Sequence, residues 1–542
     1  MLFNSFEFIF LFLPVTFFVY FYLAHKKLTI AAKGFLAAAS LFFYSYWNII
    51  YLPLILGSIA VNYIIGTRIL GLVGSNLDLA THRNGGGQSS DLAAAQTNAS
   101  QGANLQTLNQ AISNLNDTSN LNPLSPKSPT ARKAKAYLIS GILFNVLLLG
   151  YFKYTDFFIA NFNGLFGADV PLSHIVLPIG ISFFTFTQIA FLVDAHAGKV
   201  RDLSPLNYIL FVTYFPHLLA GPILHHSEMM PQFASRWNMA KNYNHIAMGL
   251  FLFSMGLFKK VIIADQFAVW ANAGFAASAD LNLIEAWITS LSYTMQLYFD
   301  FSGYTDMAIG ISLMFNIKLP INFNSPYKAT SVQDFWRRWH ITLSRFLRDY
   351  VYIPLGGNRR GKVRLYSNLM ITFLVGGFWH GAGWTFVFWG FLHGAALIVH
   401  RVWTQAGFVM NKYLAWFITF NFINVTWVFF RAENINQAVE VLKGMIGVHG
   451  VAIPAKIERY FSFLGSFITP SGAWLDNIRA SGATEVFSIL FVGLLITLFA
   501  KNSNELTAKF KFEYKALIFS LVMTLWAISS FNKTSEFLYF NF

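Results

Sequence analysis

The sequence predicts an all-α, polytopic integral membrane protein that forms one membrane domain over residues 1–542. Hydrophobic residues make up 55% of the chain and charged residues only 11%, whereas a soluble domain is about one quarter charged. Apolar segments recur from one end of the chain to the other, and aromatic residues reach 18%. These observations exclude a soluble globular protein, a disordered chain and a fibrous repeat.

Apolar segments along the chain are candidates for membrane helices. About 20 apolar residues are needed to cross roughly 30 Å of hydrocarbon at about 1.5 Å per residue. Several segments are shorter or more polar than that, so we expect roughly 11 to 14 membrane-embedded helices, together with interfacial helices. The segments are residues 5–24, 29–47, 49–67, 136–152, 175–194, 206–221, 246–264, 284–300, 304–318, 367–380, 384–400, 413–430, 485–500 and 514–531.

Basic residues indicate how the chain is oriented. The net charge is +14 at pH 7, and the cytoplasmic loops of membrane proteins are enriched in lysine and arginine. We therefore place residues 25–27, 132–135 and 501–515 in the cytoplasm, which leaves both termini and Trp47 outside. The basic character is then explained by loops beside membrane lipids, and no nucleic-acid partner is predicted.

Several chemistries are excluded by what the sequence lacks. The chain has no cysteine, which rules out a thiol nucleophile, a disulfide framework and cysteine-ligated zinc. Walker A, HExxH, GxSxG and dinucleotide-binding patterns are also missing. His225 and His226 with Glu228 do not have a recognised ligand spacing, so no metal site is predicted.

Residues 72–134 interrupt the apolar pattern. This segment is rich in Asn, Gln, Ser, Ala, Gly and Leu and contains no Phe, Trp or Tyr. It has too little apolar surface to form a core, so we predict a low-complexity, largely disordered cytoplasmic insert. A short helix near residues 92–112 is compatible with its composition.

Two acidic residues, Asp300 and Asp306, lie within an apolar region. Acids at membrane depth are costly and usually face a cavity or a cationic partner. For Asp300 we favour a structural pair with an arginine of the next polar window.

That window, residues 334–350, resembles an amphipathic helix at the cytoplasmic interface. At 100° per residue, Arg337, Arg338, Arg345 and Arg348 share one side, and Asp334 with Arg338 and Arg345 with Asp349 are i,i+4 pairs. The arginines fit either lipid headgroups or the phosphates of a nucleotide-like donor. The glycine-rich loop that follows adds Asn358 and Arg359 to the same cationic region.

A third window, residues 376–394, places His380 and His393 among glycines and aromatic residues, with Trp379 beside the first. A buried neutral imidazole can act as a general base, although a lone buried histidine is more often a structural residue. The two histidines would lie about 140° apart on one continuous helix. We therefore expect them to have different roles, or the helix to break at Gly383.

Together these windows are similar to the membrane-bound O-acyltransferase (MBOAT) family, and most similar to its alginate O-acetyltransferase branch in bacteria. The resemblance extends along essentially the whole chain, apart from the insert. It rests on FNSFEFIFLFLP (3–14), YFKYTDF (151–157), LPIGISFFTF (177–186), FPHLLAGPILH (215–225), FKKVIIAD (258–265), QLYFDFSGYTDMAIG (296–310), FWRRWHITLSRFLRDYVYIPLGGNRRG (335–361), GGFWHGAGWTFVFWGFLHG (376–394) and WVFFRAEN (427–434).

The resemblance implies tilted helices around a central funnel. The family's WHG histidine falls on His380, which is then the expected catalytic base, and its RWH histidine falls on His340, which is expected to support the donor or the reacting hydroxyl. The expected donor-binding residues are Arg337, Arg338, Arg345, Asn358 and Arg359. Asp300, Asp306 and Trp379 are expected to be structural supports.

The resemblance also implies the substrates and partners. The donor is expected to be acetyl-CoA or another cytoplasmic acyl thioester, with no permanently bound cofactor. The acceptor is expected to be a hydroxyl of an exported polysaccharide such as alginate, reached through a periplasmic or membrane-anchored partner with an SGNH-like fold. The protein is expected in the bacterial inner membrane.

Other functions stay open at this point. Within the family, peptidoglycan, cellulose or teichoic acid are alternative acceptors. A transporter or flippase would also bury charged residues, but the chain shows no inverted repeat of spans. A non-catalytic scaffold for polysaccharide export predicts that His380 is dispensable.

Overall fold

The computed structural model describes residues 1–84, 128–200, 204–453, 468–470, 475–480, 482–531 and 537–538. Within them the chain is helical, apart from a short parallel pairing of β1 (Val451–Ile453) with β2 (Ile468–Pro470). Three short 3₁₀ turns lie at Trp237–Met239, Pro326–Lys328 and Asp476–Ile478. The predicted all-α fold is therefore confirmed, with this small pairing as an addition.

The first half of the chain forms helices that mostly follow the predicted apolar segments. Their bounds are α1 (Leu13–His25, after a π-helical turn Glu7–Phe12), α2 (Thr29–Ser45), α3 (Tyr51–Asn84), α4 (Pro129–Leu149), α5 (Thr155–Phe166, after a π-helical segment Gly150–Tyr154), α6 (Ile181–His196), α7 (Pro205–Thr213), α8 (Phe215–Leu218), α9 (His226–Ala234), α10 (Tyr243–Phe258) and α11 (Asp265–Ala276, after a π-helical segment Lys259–Ala264).

The second half carries most of the polar windows. Its helices are α12 (Leu283–Met314), α13 (Val332–Arg338), α14 (Ile341–Leu347, continued by a π-helical turn Arg348–Tyr352), α15 (Gly361–His380), α16 (Trp384–Gln405), α17 (Lys412–Arg431), α18 (Ile435–Met445), α19 (Ala483–Phe499), α20 (Ser503–Ala508) and α21 (Tyr514–Ser529).

Six helical stretches among the described residues are long and apolar enough to cross a membrane. They are Glu7–His25, Tyr51–Gly74, Pro129–Phe166, Tyr243–Ala276, Trp384–Gln405 and Lys412–Arg431. Four shorter apolar helices accompany them: Thr29–Ser45, Ile181–His196, Thr484–Phe499 and Tyr514–Ser529. The chain is a multi-pass membrane protein. The predicted segment 206–221 is broken at Tyr214 into α7 and α8 and is too short to cross.

Helix α12 forms the centre of the molecule. Asn282 and Glu285 cap its start reciprocally, and every residue from 292 to 315 is buried. The prediction of two separate spans, 284–300 and 304–318, is wrong because the helix continues through Gly303. The polar residues between the two apolar stretches do not form a loop. They lie within the helix, where Asp300 and Asp306 have buried partners.

Helices α10 and α12 approach closely through two pairs of glycines. A Cβ atom on Gly249 would meet the carbonyl oxygen of Gly310, and one on Gly256 would meet that of Gly303. Each helix carries its two glycines seven residues apart, which is two helical turns. Small residues at such crossings let two backbones come into direct contact.

The acidic residues of α12 are paired with lysines. Asp300 lies 2.8 Å from Lys260, which also contacts Asp265 at 2.7 Å, and Asp306 lies 2.7 Å from Lys259. The second oxygen of Asp300 accepts a hydrogen bond from the backbone of Leu538 at 2.9 Å. The prediction that Asp300 pairs with an arginine is therefore wrong. Both lysines belong to the segment 258–265, which the hydropathy pattern hides inside a continuous apolar stretch.

The predicted insert 72–134 is helical at both of its ends. Helix α3 continues to Asn84, and α4 begins at Pro129 behind the N-cap Ser128. Residues 85–127, including the predicted short helix near 92–112, lie outside the described residues. The disordered insert stays a prediction for that part of the chain.

Candidate active site

His380 lies at the turn between two helices that pack against each other, since Gly377 of α15 approaches Gly390 of α16. Helix α15 ends at His380, Gly381 and Gly383 have extended backbones, and α16 begins at Trp384. A Cβ atom on Gly381 would overlap the ring of Phe386, so the glycine permits the close return of the chain. The predicted break near Gly383 is confirmed, and it places the imidazole at a helix end.

Aromatic side chains enclose His380. Its side chain is only 3% exposed, and its ring centroid lies 4.9 Å from Trp379, 5.3 Å from Trp389 and 5.1 Å from Phe430. Such a cage keeps water away from a reactive centre and strengthens electrostatic interactions inside it.

His340 lies in a break between α13 and α14. Its φ of 42° is left-handed, which is uncommon for a residue other than glycine and is held by its surroundings. The expected single amphipathic helix over 334–350 is therefore wrong: two helices of seven residues meet at Trp339 and His340. The charge periodicity fits one helix, but it carries no signal of the turn.

Asn322 holds the break around His340. Its side-chain oxygen accepts hydrogen bonds from the backbone and hydroxyl of Thr342, at 3.2 and 2.6 Å, and lies 3.3 Å from Nδ1 of His340. The edge-on ring of Phe301 packs against the imidazole at 4.8 Å between centroids. His340 is thus fully buried in a defined orientation.

Trp379 connects the two histidines. Its ring centroid lies 4.9 Å from that of His380 and 6.4 Å from that of His340. On its other side Trp379 stacks on Phe186, which stacks on Phe346 of α14 at 4.0 Å. The structure therefore brings His340 next to Trp379 and His380, although it lies about forty residues before these two neighbours at the end of α15.

His393 has a separate environment. Nδ1 accepts a hydrogen bond from the Trp336 indole at 3.1 Å, and Nε2 lies 3.2 Å from the hydroxyl of Thr426. That hydroxyl in turn donates to the carbonyl of Ile423 at 2.8 Å. A neutral imidazole that donates from Nε2 satisfies the whole chain of hydrogen bonds. This is the pattern of a structural histidine, so the two histidines do differ.

Lys153 and Tyr154 bind the end of helix α15. The Lys153 ammonium donates to the carbonyls of Trp379 and His380 at 2.7 and 3.0 Å, and the Tyr154 hydroxyl donates to that of Phe378 at 2.7 Å. Sequence reasoning gave these residues no role. The available signal was a lysine inside an apolar span, which is costly and therefore informative.

The predicted donor-binding residues are spread over a wider region. Arg345 makes a two-pronged ion pair with Glu228, at 2.5 and 2.9 Å, so its predicted partner Asp349 is wrong. The π-helical turn after α14 changes the spacing, and Asp349 pairs with Arg348 instead at 2.7 Å. The pair of Arg338 with Asp334 is confirmed at 2.9 Å.

Three other predicted donor-binding residues, Arg337, Asn358 and Arg359, are exposed. Asn358 and Arg359 lie just before α15, and nineteen residues separate the start of that helix from His380, or about 28 Å of helix. The structure therefore places this basic loop and the histidine at opposite ends of α15.

His225 and Glu228 have other partners than a metal. The Tyr350 hydroxyl lies 3.2 Å from Nδ1 of His225 and donates to Asp194 at 3.1 Å, while Glu228 is held by Arg345. In the part of the chain that the structure describes, no group of three or more acidic or histidine side chains could hold a metal ion.

The structure thus brings two buried histidines together inside a helical, multi-pass membrane protein. Residues 132–436 match the model of MBOAT, the membrane-bound O-acyltransferase family. This match covers more than half of the chain, which therefore belongs to this family and is an acyltransferase. The resemblance and the enzyme class predicted from the sequence are confirmed.

Several curated proteins are similar to this chain. The peptidoglycan O-acetyltransferase of Helicobacter pylori is 45% identical over an alignment of 577 residues, gaps included. The alignment covers 100% of this chain and 98% of the relative. The probable alginate O-acetylase AlgI of Pseudomonas aeruginosa is 38% identical over 452 residues, 82% of this chain and 75% of the relative. A teichoic acid D-alanyltransferase of Bacillus subtilis is 26% identical over 254 residues, 45% of this chain and 63% of the relative.

Proposed function

We propose that the chain moves an acetyl group from cytoplasmic acetyl-CoA toward a hydroxyl of a polysaccharide outside the bacterial inner membrane, with His380 as general base. The observation that supports this most is the position of His380. It lies at the end of helix α15, inside an aromatic cage, and both His380 and His340 lie near the ring of Trp379. A buried base between the two faces of a membrane suits substrates that arrive from opposite sides.

The reaction is an acyl transfer from sulfur to oxygen. The acceptor hydroxyl loses its proton to the His380 imidazole while its oxygen bonds to the thioester carbonyl carbon. The tetrahedral oxyanion collapses, the carbon–sulfur bond breaks, and the leaving thiolate takes the proton from the His380 imidazolium. His340 or backbone N–H groups near Gly381 would donate to the oxyanion. The aromatic cage would limit hydrolysis of the thioester.

The donor's phosphates would bind at the basic cytoplasmic surface. Arg359 and Asn358 are exposed beside α15, Arg337 is exposed on α13, and guanidinium groups match phosphate oxygens. Arg345 and Arg338 would join them only after exchanging their carboxylate partners Glu228 and Asp334. The acyl arm would then reach His380 from this side, while the rest of the donor stays in the cytoplasm.

Peptidoglycan is the first acceptor to test, and an alginate-like exopolysaccharide is the second. The relative that matches 100% of this chain is a peptidoglycan O-acetyltransferase, and the alginate O-acetylases match 82% or less. In either case a periplasmic or membrane-anchored partner with an SGNH-like fold would complete the transfer, because His380 is buried from large polymers.

A complementation experiment tests this proposal. A deletion strain receives the wild type, His380→Ala, His340→Ala or the control His174→Ala, which changes an exposed loop residue. Ester-linked acetate is measured separately on peptidoglycan and on exopolysaccharide, at matched membrane levels of each variant. We expect wild type and His174→Ala to restore ester on one polymer, His380→Ala to restore none, and His340→Ala to restore at most one tenth.

The same experiment separates the alternatives. If His380→Ala restores the full ester content, the base role is wrong, and a scaffold for export becomes the better explanation. If wild type restores no ester on either polymer but restores export of the polymer itself, the acceptor assignment is wrong.

A further inference from the structure

Lys153 is partly buried, and it differs in its partners from Lys259 and Lys260, the two lysines that pair with the acids of α12. Lys259 and Lys260 each contact aspartates at 2.7 or 2.8 Å. Lys153 has backbone carbonyls as its close partners, at 2.7 and 3.0 Å, and the hydroxyl of Ser182 at 3.5 Å. Among the described residues, no carboxylate lies within ion-pair distance of it. An ammonium held in this way is costly to bury, and such costs are usually associated with function.

The two carbonyls that Lys153 contacts are the last of helix α15. The final four carbonyls of a helix lack N–H partners within the helix, and a cation there interacts favourably with the helix dipole. Tyr154, the next residue, binds the preceding carbonyl, that of Phe378. Three consecutive carbonyls are therefore held from outside the helix by one π-helical segment, Gly150–Tyr154.

This contact fixes the position of His380. The chain turns away in an extended conformation directly after His380, so no following turn of helix supports the imidazole. Lys153 binds the carbonyl of His380 itself, at 3.0 Å. Loss of the ammonium would let the helix end fray at the residue that must reach the acceptor hydroxyl.

We propose that Lys153 is a positioning residue for acyl transfer, which ties the end of helix α15 so that His380 meets the reacting groups. This inference rests on the proposed role of His380 as the base. It predicts that replacing Lys153 lowers the rate of transfer without weakening donor binding, because the phosphate-binding region lies at the other end of α15. A guanidinium in the same place would also donate to two carbonyls, so Lys153→Arg should keep much of the function.

The test uses inside-out inner-membrane vesicles from the complemented deletion strain, with acetyl-CoA as the added donor. The initial rate of free thiol release is measured against acetyl-CoA concentration, and the rate from deletion-strain vesicles is subtracted. The variants are Lys153→Met, Lys153→Arg, His380→Ala and the control Lys133→Met, which removes an exposed lysine from α4. Thermal unfolding of each detergent-solubilised variant is measured in parallel.

We expect Lys153→Met to lower the maximal rate at least tenfold, with the KM for acetyl-CoA within twofold of the wild type and thermal unfolding within about 3 °C of it. Lys153→Arg should recover at least a third of the maximal rate, and Lys133→Met should match the wild type. Wild-type activity in Lys153→Met together with an inactive His380→Ala overturns the role of Lys153 alone. If His380→Ala is active, the proposed function fails, whatever Lys153→Met does.

Two further results would also overturn the inference. A fall in activity that only follows a fall in thermal stability makes Lys153 a structural residue. If both Lys153→Met and Lys153→Arg fail to accumulate in the membrane, Lys153 is required for folding rather than for positioning.

Discussion

At the scale of single residues, Arg345 is the donor-binding candidate whose role the structure makes easiest to test. Its guanidinium is bound by both oxygens of Glu228, at 2.5 and 2.9 Å, and both side chains are partly exposed. A partly exposed ion pair contributes about 0 to 1 kcal/mol to stability. Breaking it should therefore alter donor binding more than folding.

We predict that Glu228→Gln lowers the KM for acetyl-CoA by about two- to fivefold, because Arg345 no longer has to exchange a carboxylate for a phosphate. Thermal unfolding should stay within about 3 °C of the wild type. Thiol release by membrane vesicles measures the KM, and Asp349→Asn, which frees Arg348 instead, is the matched control. An unchanged KM in Glu228→Gln would assign Arg345 a purely structural role.

Individual residues also show which parts of the candidate site could be predicted from the sequence. His380 and His340 were located from their motifs, and the structure places both beside Trp379. The partners of Asp300 and Asp306 were missed because the lysines of residues 258–265 lie some forty positions earlier in the chain. Lys153 was missed for the same reason, since its partners lie more than 220 residues away. Contacts of this range leave no local periodicity.

At the scale of elements, the crossing of α10 and α12 determines where the buried lysines and aspartates meet. The hydropathy pattern treated the polar centre of α12 as a gap between two spans, because it scores residues one by one. The glycines at 249, 256, 303 and 310 bring the two backbones into contact, and this contact lets Lys259 and Lys260 reach the acids of α12. The left-handed His340 is a second example, since the helical charge pattern continues through the break.

We predict that Gly256→Ala destabilises the protein by about 1 to 3 kcal/mol, because the added methyl group overlaps the carbonyl of Gly303 and forces α10 away from α12. The matched control is Gly34→Ala in α2, where a Cβ atom meets nothing within 4 Å. That change should leave stability unchanged or raise it by up to about 1 kcal/mol. Thermal unfolding of detergent-solubilised protein measures both. Equal stability of the two variants would show that the crossing tolerates a wider spacing.

At the scale of the whole molecule, the transfer mechanism depends on which face of the membrane each end of α15 approaches. The structure fixes the order of helices, and the basic loops predict the orientation: residues 25–27 and 132–135 are expected inside, and the loops near Ile49 and His174 outside. In that arrangement the basic loop before α15 faces the cytoplasm, where acetyl-CoA is made. The opposite orientation would present Arg359 to the periplasm and leave the proposed donor without a binding site.

The orientation can be measured directly because the chain contains no cysteine, so each introduced thiol is the only one in the protein. We predict that Lys27→Cys and Lys133→Cys react with a membrane-impermeant maleimide only in inside-out vesicles. Ile49→Cys and His174→Cys should react only in intact spheroplasts. All four positions are exposed on the surface of the protein, and labelling in detergent-solubilised protein shows for each that a missing reaction reports sidedness rather than burial. Labelling of Lys133→Cys from outside would show that α4 and α5 have the opposite orientation in the membrane. The donor would then have to reach His380 from the opposite face.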